Sequence, residues 1–324
     1  MSLVKAKPQK RAKTAHQEAL AGPVGSNQMS VGRVARVATM LFVAAIFIVP
    51  IIGFVAMAFR DQDEVAAGEG GILGLGGVSW DNVVYSWSQV NGFGPGEGGL
   101  FMQWVGNSLF VAVIGAILAV VAAIPAGYAL ARLRFRFRRT VLFVTLLAMV
   151  MPNTVLVIPL FLEVNAIGAS GELWPVAVIM GFFPFGVYLA YIHFMTTMPQ
   201  ELVEAARIDG LSEIGIFFQV ATPISKQAVA LVTFFAFVAN WTNYFLPLAL
   251  LSSVQGNKTI SIGLQELIGA SPLFNPTVAA GLNVKLYMPQ LALATFLSMI
   301  PLLIVVIGAQ RFLMRGQTVG AVKG

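Results

Sequence analysis

Six stretches of predominantly apolar residues, each about as long as a membrane is thick, constrain this chain more than any other feature. A helix rising about 1.5 Å per residue needs about 20 residues to cross about 30 Å of hydrocarbon. Stretches of that kind lie near residues 36–59, 103–131, 138–161, 174–195, 226–250 and 289–313. Within hydrocarbon the backbone must satisfy its own hydrogen bonds, and segments this long do so as helices. The expected fold class is therefore all-α, a polytopic membrane protein with six transmembrane helices. Pro50, Pro125, Pro152, Pro159, Pro184, Pro247 and Pro301 fall inside these stretches. The expectation is that the spans continue through them, because neighbouring helices can satisfy the freed carbonyls.

Composition agrees with a lipid solvent. Of 324 residues 57% are hydrophobic and 10% charged, against about 25% charged in an average soluble domain. Cysteine is absent, which excludes disulfides, thiolate metal sites and cysteine nucleophiles. His16 and His193 are the two histidines, and His16 sits in a polar tail, so a multi-histidine metal site is not expected. The net charge of +6 is read by its placement rather than as a sign of nucleic acid, for which no binding is expected.

Placement gives orientation. Seventeen of the 20 basic residues fall in one set of alternate segments, including Lys5 to Arg36, Arg132 to Arg139, Arg207, Lys226 and Arg311 to Lys323. The other set holds Arg60, Lys258 and Lys285 beside nine acidic residues. Lys and Arg accumulate on the cytoplasmic side, so both termini are expected there. Residues 1–34, basic and without helical periodicity, read as a mostly disordered cytoplasmic tail. Residues 35–324 form the membrane domain, with a glycine-rich external loop at 60–102 that has a more structured patch at Trp80 to Tyr85. The stretch from Val37 to Phe59 is longer than a signal-peptide core and is expected to remain as an anchor.

The connection at 196–225 is longer than adjacent spans require. Pro199 suits a helix start, Glu201 and Glu204 suit its positive end, and Gly210 suits the left-handed residue after its last turn. A second short helix fits Ser212 to Val220, and Thr222 with Pro223 can restart the chain as the fifth span. Two short helices with a glycine elbow make a docking device.

Glu204-Ala205-Ala206, with Gly210 and the downstream Pro223, resembles the EAA loop of ABC importer permeases. Val220-Ala221-Thr222-Pro223 stands where that family usually has Ile, any residue, Leu and Pro. Gly127-Tyr128-Ala129-Leu130-Ala131-Arg132 leading to Phe135-Arg136, then Met151-Pro152 with Ile158-Pro159-Leu160-Phe161, and the tail Gly316 with Gly320 to Gly324, extend the likeness to the maltose-type carbohydrate branch. The resemblance implies a type I ABC importer permease fold in a bacterial inner membrane. It also implies a coupling helix, seated in a groove of an ATPase, with Glu204, Ala205, Ala206, Arg207, Asp209, Gly210 and Pro223 as its coupling residues. The implied partners are a second, homologous permease in a heterodimer, two ATPase subunits that hold ATP and Mg, and an external solute-binding protein that delivers a sugar. This chain itself would bind no cofactor.

Polar residues within spans are costly and face protein or a water-filled path. Asn240, Trp241 and Asn243 in the fifth segment, with Asn153, Thr154 and Asn107, could offer amides to hydroxyls and an aromatic face to a sugar ring. They could equally bond neighbouring helices, and both readings stand. The Arg132 to Arg139 cluster reads as topology and lipid headgroups. Trp104, Trp174 and Tyr287, at span ends, read as interfacial anchors. Catalysis has no support: around Asn257-Lys258-Thr259 a phosphate loop would need glycines where Ser252 and Asn257 stand. The rival class is an ion-coupled secondary carrier, which would call for inverted repeats and a midplane ionisable residue.

Overall fold

The computed structural model describes residues 31–67, 77–94, 99–277, 281 and 286–318. Most of the expected tail, the glycine runs at 68–76 and 95–98, and the stretch from Gly320 to Gly324 lie outside the described residues. The chain divides into two units, 1–53 and 54–324. In the first unit the described residues belong to helix α1 (Val31–Met57), whose start falls within the stretch expected as tail. From Val37 to Met57 it carries no ionisable side chain, and it is long and apolar enough to cross a membrane.

The second unit is helical throughout its ordered elements, with no strand among the described residues. Short α2 (Gln62–Ala66) and α3 (Trp80–Asn91) precede the 33-residue α4 (Leu100–Arg132). Then come α5 (Arg138–Val150), α6 (Val157–Ala166), α7 (Leu173–Met180) and α8 (Pro184–Thr197). Three short helices, α9 (Gln200–Ile208), α10 (Glu213–Ile216) and α11 (Thr222–Ile224), lead into α12 (Lys226–Trp241). The chain closes with α13 (Phe245–Leu251), α14 (Ile260–Gly269) and α15 (Met288–Thr318). The structured patch expected at Trp80 to Tyr85 is the start of α3, capped by the Ser79 hydroxyl accepting from the Asp81 N–H at 3.2 Å.

Four segments are long and apolar enough to span: Val34–Met57, Leu100–Arg132, Leu173–Thr197, which joins α7 and α8 across residues 181–183, and Met288–Gln310. Two further apolar segments are bent pairs, Arg138–Val150 with Asn153–Ala166 at 94° and Glu213–Ile224 with Lys226–Trp241 at 77°. The expectation of continuous spans through every proline is therefore corrected. Pro50, Pro125 and Pro301 do lie inside long helices. Pro152 instead ends one: Met151 before it is extended, with ψ of 126°, as a residue preceding proline prefers. Pro159, Pro184 and Pro247 sit in the first turns of α6, α8 and α13, where a missing N–H costs no helical bond. The segment at 226–250 also breaks, after Trp241. There the Asn243 side-chain oxygen accepts from the Leu246 N–H at 3.3 Å, offering the backbone a local alternative to helix.

Helix α4 is the spine. At about 1.5 Å per residue it runs about 50 Å, and it packs against α7, α8 and α12. Ser108, Ala112, Ala116, Ala119, Ala123, Gly127 and Ala131, spaced three or four apart, are all buried and form one face of small side chains. Such a face lets helix backbones approach closely where no hydrophobic effect drives them together. A Cβ on Gly127 would collide with Ala190 and the Tyr191 backbone of α8, and one on Gly115 would meet the Asn240 amide of α12. The opposite face, with Val113, Ile117 and Val121, is exposed and suits lipid.

The two ends of α4 are fastened differently. Near its start, polar side chains tie the segment after α13. Asn107 donates to the carbonyls of Gly256 and Lys258 at 2.7 and 2.9 Å, and Ser108 Oγ accepts from the Ile260 N–H at 2.7 Å. Asn257 donates to the Gly171 carbonyl at 2.7 Å, Ser261 to the Asn243 carbonyl at 2.8 Å, and Lys258 pairs with Glu266. Trp104 is fully buried here against Gly263, so it is a core residue rather than the expected interfacial anchor. Trp174 is exposed as an anchor would be. The far end of α4 combines apolar packing around Tyr128, Phe194 and Met198 with hydrogen bonds from Arg132 to carbonyls of α8.

Two outcomes test this architecture. Gly127→Val should destabilise the protein by about 1–3 kcal/mol through overpacking, while Gly106→Ala, which meets nothing within 4 Å, should be neutral or mildly stabilising. Thermal unfolding in detergent separates them. Asn107→Ala should cost about 1–3 kcal/mol by leaving two carbonyls unsatisfied, and should speed amide exchange across residues 252–261 without altering exchange at 196–225.

Candidate functional site

The segment from 196 to 225 is built from strong local signals. Pro199, extended at φ −60° and ψ 149°, precedes α9 rather than occupying its first turn. Glu201 lies in the first turn and Arg207 in the last, each complementing the helix dipole. At the other end Leu211 N–H bonds the Ala206 carbonyl and Gly210 N–H the Arg207 carbonyl, both at 3.0 Å, with Gly210 at φ +84°. That paired closure is a Schellman motif and needs a left-handed residue, which glycine supplies without strain. Ser212 then caps α10, its hydroxyl accepting from the Gly215 N–H at 3.2 Å.

Beyond α10 the structure departs from expectation. The second helix does not run on unbroken to Val220: Phe217–Ala221 forms a π-turn, in which one extra residue is accommodated. Thr222 donates to the Phe217 carbonyl at 2.8 Å. Thr222 and Pro223 lie within α11, and the long helix restarts at Lys226, after the 77° bend.

One face of this segment belongs to the core of the unit. Val203, Ala206, Ile216 and Ala221 are buried and pack with Tyr128, Phe194 and Met198. Tyr128 meets the Phe194 and Phe217 rings at centroid distances of 5.5 and 5.3 Å. The other face is open: Glu204, Ala205, Asp209 and Gly210 are exposed, and Ile208, Ile214 and Phe218 are 86%, 71% and 64% exposed. The two alanines thus divide, Ala206 inward and Ala205 outward. Arg207 Nε donates to Glu213 Oε1 at 2.6 Å across the elbow, and that hydrogen bond lifts the guanidinium above its ordinary range. Exposed on both sides, the pair orients the elbow more than it stabilises it. A cavity of about 570 Å³ brings Glu204, Arg207 and Glu213 together with Arg134. Pro223 stands apart from this group, exposed on α11.

The apolar outward residues escape a reading of the sequence by motif. Their signal is legible in retrospect: Ile208, Ile214 and Phe218 stand on the face of a polar segment opposite Val203, Ala206 and Ile216.

The expected intramembrane polar set does not gather at one place. Asn107 serves the segment after α13, and Asn243 caps α13. Asn153 and Thr154 are exposed on the 3-10 turn after the Pro152 break. Asn240 and Trp241 are buried side by side at the end of α12. Trp241 stacks on Phe237 at 5.9 Å with 11° between planes. The Asn240 amide nitrogen has no hydrogen-bond partner among the described residues.

Residues 115–319 match the family described as "Binding-protein-dependent transport system inner membrane component". Among curated proteins the chain is 28% identical over 287 residues to the arabinooligosaccharides transport system permease protein AraQ of Halalkalibacterium halodurans, covering 87% of this chain and 94% of that one. It is 30% identical over 227 residues to the maltodextrin transport system permease protein MdxG of Bacillus subtilis, covering 69% and 77%. It is 31% identical over 219 residues to the lactose transport system permease protein LacG of Rhizobium radiobacter, covering 67% and 74%. A crystal structure of a bacterial ABC transporter involved in the import of the acidic polysaccharide alginate contains a chain that superposes with a TM-score of 0.71 at 22% identity, covering 90% of this chain and 99% of that one. That likeness shows the fold of an ABC importer permease. The chain belongs to the binding-protein-dependent transport system inner membrane components, a family of multi-pass transport permeases rather than enzymes.

Proposed function

We propose that this chain is the sugar-translocating permease of an ATP-driven importer, and that the segment from α9 to α11 is the surface on which a separate ATPase subunit seats. The observation that carries the coupling role is the two-faced construction of that segment. Its inner face is continuous with the core around α4 and α8, while its outer face presents three large apolar side chains left exposed among the described residues. Exposed apolar groups flanked by charge mark a protein interface. Ala205 allows close approach, Glu204 offers a carboxylate to a cationic partner, and the Arg207 to Glu213 pair with Asp209 and Gly210 holds the elbow in shape.

The sugar assignment rests on the relatives, whose names include arabinooligosaccharides, maltodextrin and lactose. ATP and Mg would be held by two ATPase subunits, a second permease would complete the path, and an external binding protein would deliver the solute. With both termini in the cytoplasm, this segment and Arg134 beside it face the ATPases. Closure of the ATPases would press on the outer face, and the inner face would carry the motion into α8, α4 and α12 as a rigid-body change of access.

In the substrate path the candidate is Asn240, a buried amide with no partner among the described residues, beside the Trp241 ring. Such a group is costly in a purely structural role, and a sugar hydroxyl would satisfy it. Asn107 and Asn243, which bond backbone groups, are assigned to positioning rather than to sugar contact, and the exposed Asn153 and Thr154 remain available to the path.

In liposomes holding the whole transporter, Glu204→Arg should lower binding-protein-stimulated ATP hydrolysis at least about tenfold, the expected scale for a like charge at an interface, while the assembled membrane fold persists. Undiminished stimulation would defeat the docking assignment. Asn240→Ala should leave thermal stability unchanged or raised, because it removes an unsatisfied buried amide, yet reduce sugar uptake. Loss of stability with uptake per folded transporter intact would return Asn240 to a structural role.

A further inference from the structure

Five arginines lie between Arg132 and Arg139, and the structure divides their work. Arg132 donates to the Phe194 and Met195 carbonyls at 2.6 and 3.2 Å, and Arg138 to the Leu130 and Ala131 carbonyls at 2.6 and 3.2 Å. These two satisfy the open carbonyl ends of α8 and α4. Arg134, Arg136 and Arg139 are exposed, and none makes a salt bridge among the described residues. Arg136 lies over the Phe137 ring at 5.6 Å.

Three features then meet at one place. Arg134, Phe135, Arg136, Arg138 and Arg139 line a cavity of about 590 Å³ that contains no carboxylate. The helix that starts there, α5, has no acidic residue in its first turn and no side-chain cap, and it begins with two arginines, which the positive end of a helix disfavours. One turn further on, a separate apolar cavity of about 270 Å³ opens, lined by Thr140, Val144 and Ala148 of α5 with Phe182 and Val187 across from them. Phe135, Phe137 and Phe182 are exposed beside these cavities.

We infer that this is a built site for one anionic phospholipid, its phosphate held by Arg136, Arg139 and the uncapped start of α5, and an acyl chain laid in the groove between α5 and the α7–α8 junction. An anion removes the electrostatic conflict of cations at a helix start. The adjoining apolar groove selects a lipid over a soluble phosphate, because a free anion leaves that groove unfilled. Exposed phenylalanines between the arginines suit the boundary where headgroup meets chain.

The test uses the full-length chain with its co-purifying subunits, exchanged into micelles carrying equal parts phosphatidylglycerol and phosphatidylcholine. Retained lipid is then read by native mass spectrometry. The wild type should retain phosphatidylglycerol preferentially, and Arg136→Gln with Arg139→Gln should cut that preference about tenfold or more, from roughly 1 kcal/mol per basic residue. Val144→Trp, which fills the groove and leaves the arginines in place, should also lose the lipid. Displacement by millimolar inorganic phosphate as effective as by lipid would overturn the assignment in favour of a soluble anion. A preference unchanged in both variants would overturn it outright.

A second readout does not depend on variants that bind less. Because the chain has no cysteine, Val144→Cys carries a single photoreactive label. Crosslinking to phosphatidylglycerol supports the site. Crosslinking to the second permease instead would mean that a protein helix occupies the groove, and would overturn the lipid reading.

Discussion

Close approach of helices along the small-residue face of α4 is the condition on which the rest of the second unit depends. Between helices in hydrocarbon, association rests on contact and hydrogen bonding rather than on release of water. Ala112, Ala116, Ala119, Ala123, Gly127 and Ala131 keep one side of a 33-residue helix narrow. Because that side is narrow, α7, α8 and α12 can all reach it. Gly127 is thus a packing requirement: it sits where any larger side chain would strike Ala190.

From that spine the segment from α9 to α11 acquires its stiffness. Val203, Ala206 and Ile216 pack with Tyr128 and Phe194, residues of α4 and α8 themselves, so the segment is an outgrowth of the spine's core rather than a loop hung from it. The Schellman closure at Gly210 and the Ser212 cap satisfy its backbone locally. Its shape therefore does not wait for a partner.

Much of this is legible in the residues, and what is not has a common cause. Gly210 and Ser212 can be read because turn and cap chemistry is local. Pro152 is visible as well, but its effect depends on whether Met151 is helical or extended, and neighbours decide that. Trp104 reads as an interfacial residue until Gly263, far along the chain, is seen lying against it. Ala205 and Ala206 are the same residue type in adjacent positions, and only the packed core shows that one turns inward and the other outward. The intramembrane asparagines share a chemistry but differ in what they bond. Asn107 and Asn243 are spent on backbone groups, whereas the Asn240 amide nitrogen finds no acceptor among the described residues.

The unequal fastening of α4 has a mechanical meaning. At its start, Asn107 and Ser108 tie α4 by directional hydrogen bonds to the segment after α13, whereas at its far end apolar contacts among Tyr128, Phe194 and Met198, which can re-form after sliding, are joined by the two bonds from Arg132. Arg132 keeps α4 and α8 registered at the packed end, so a displacement of the elbow at Gly210 would reach both helices together.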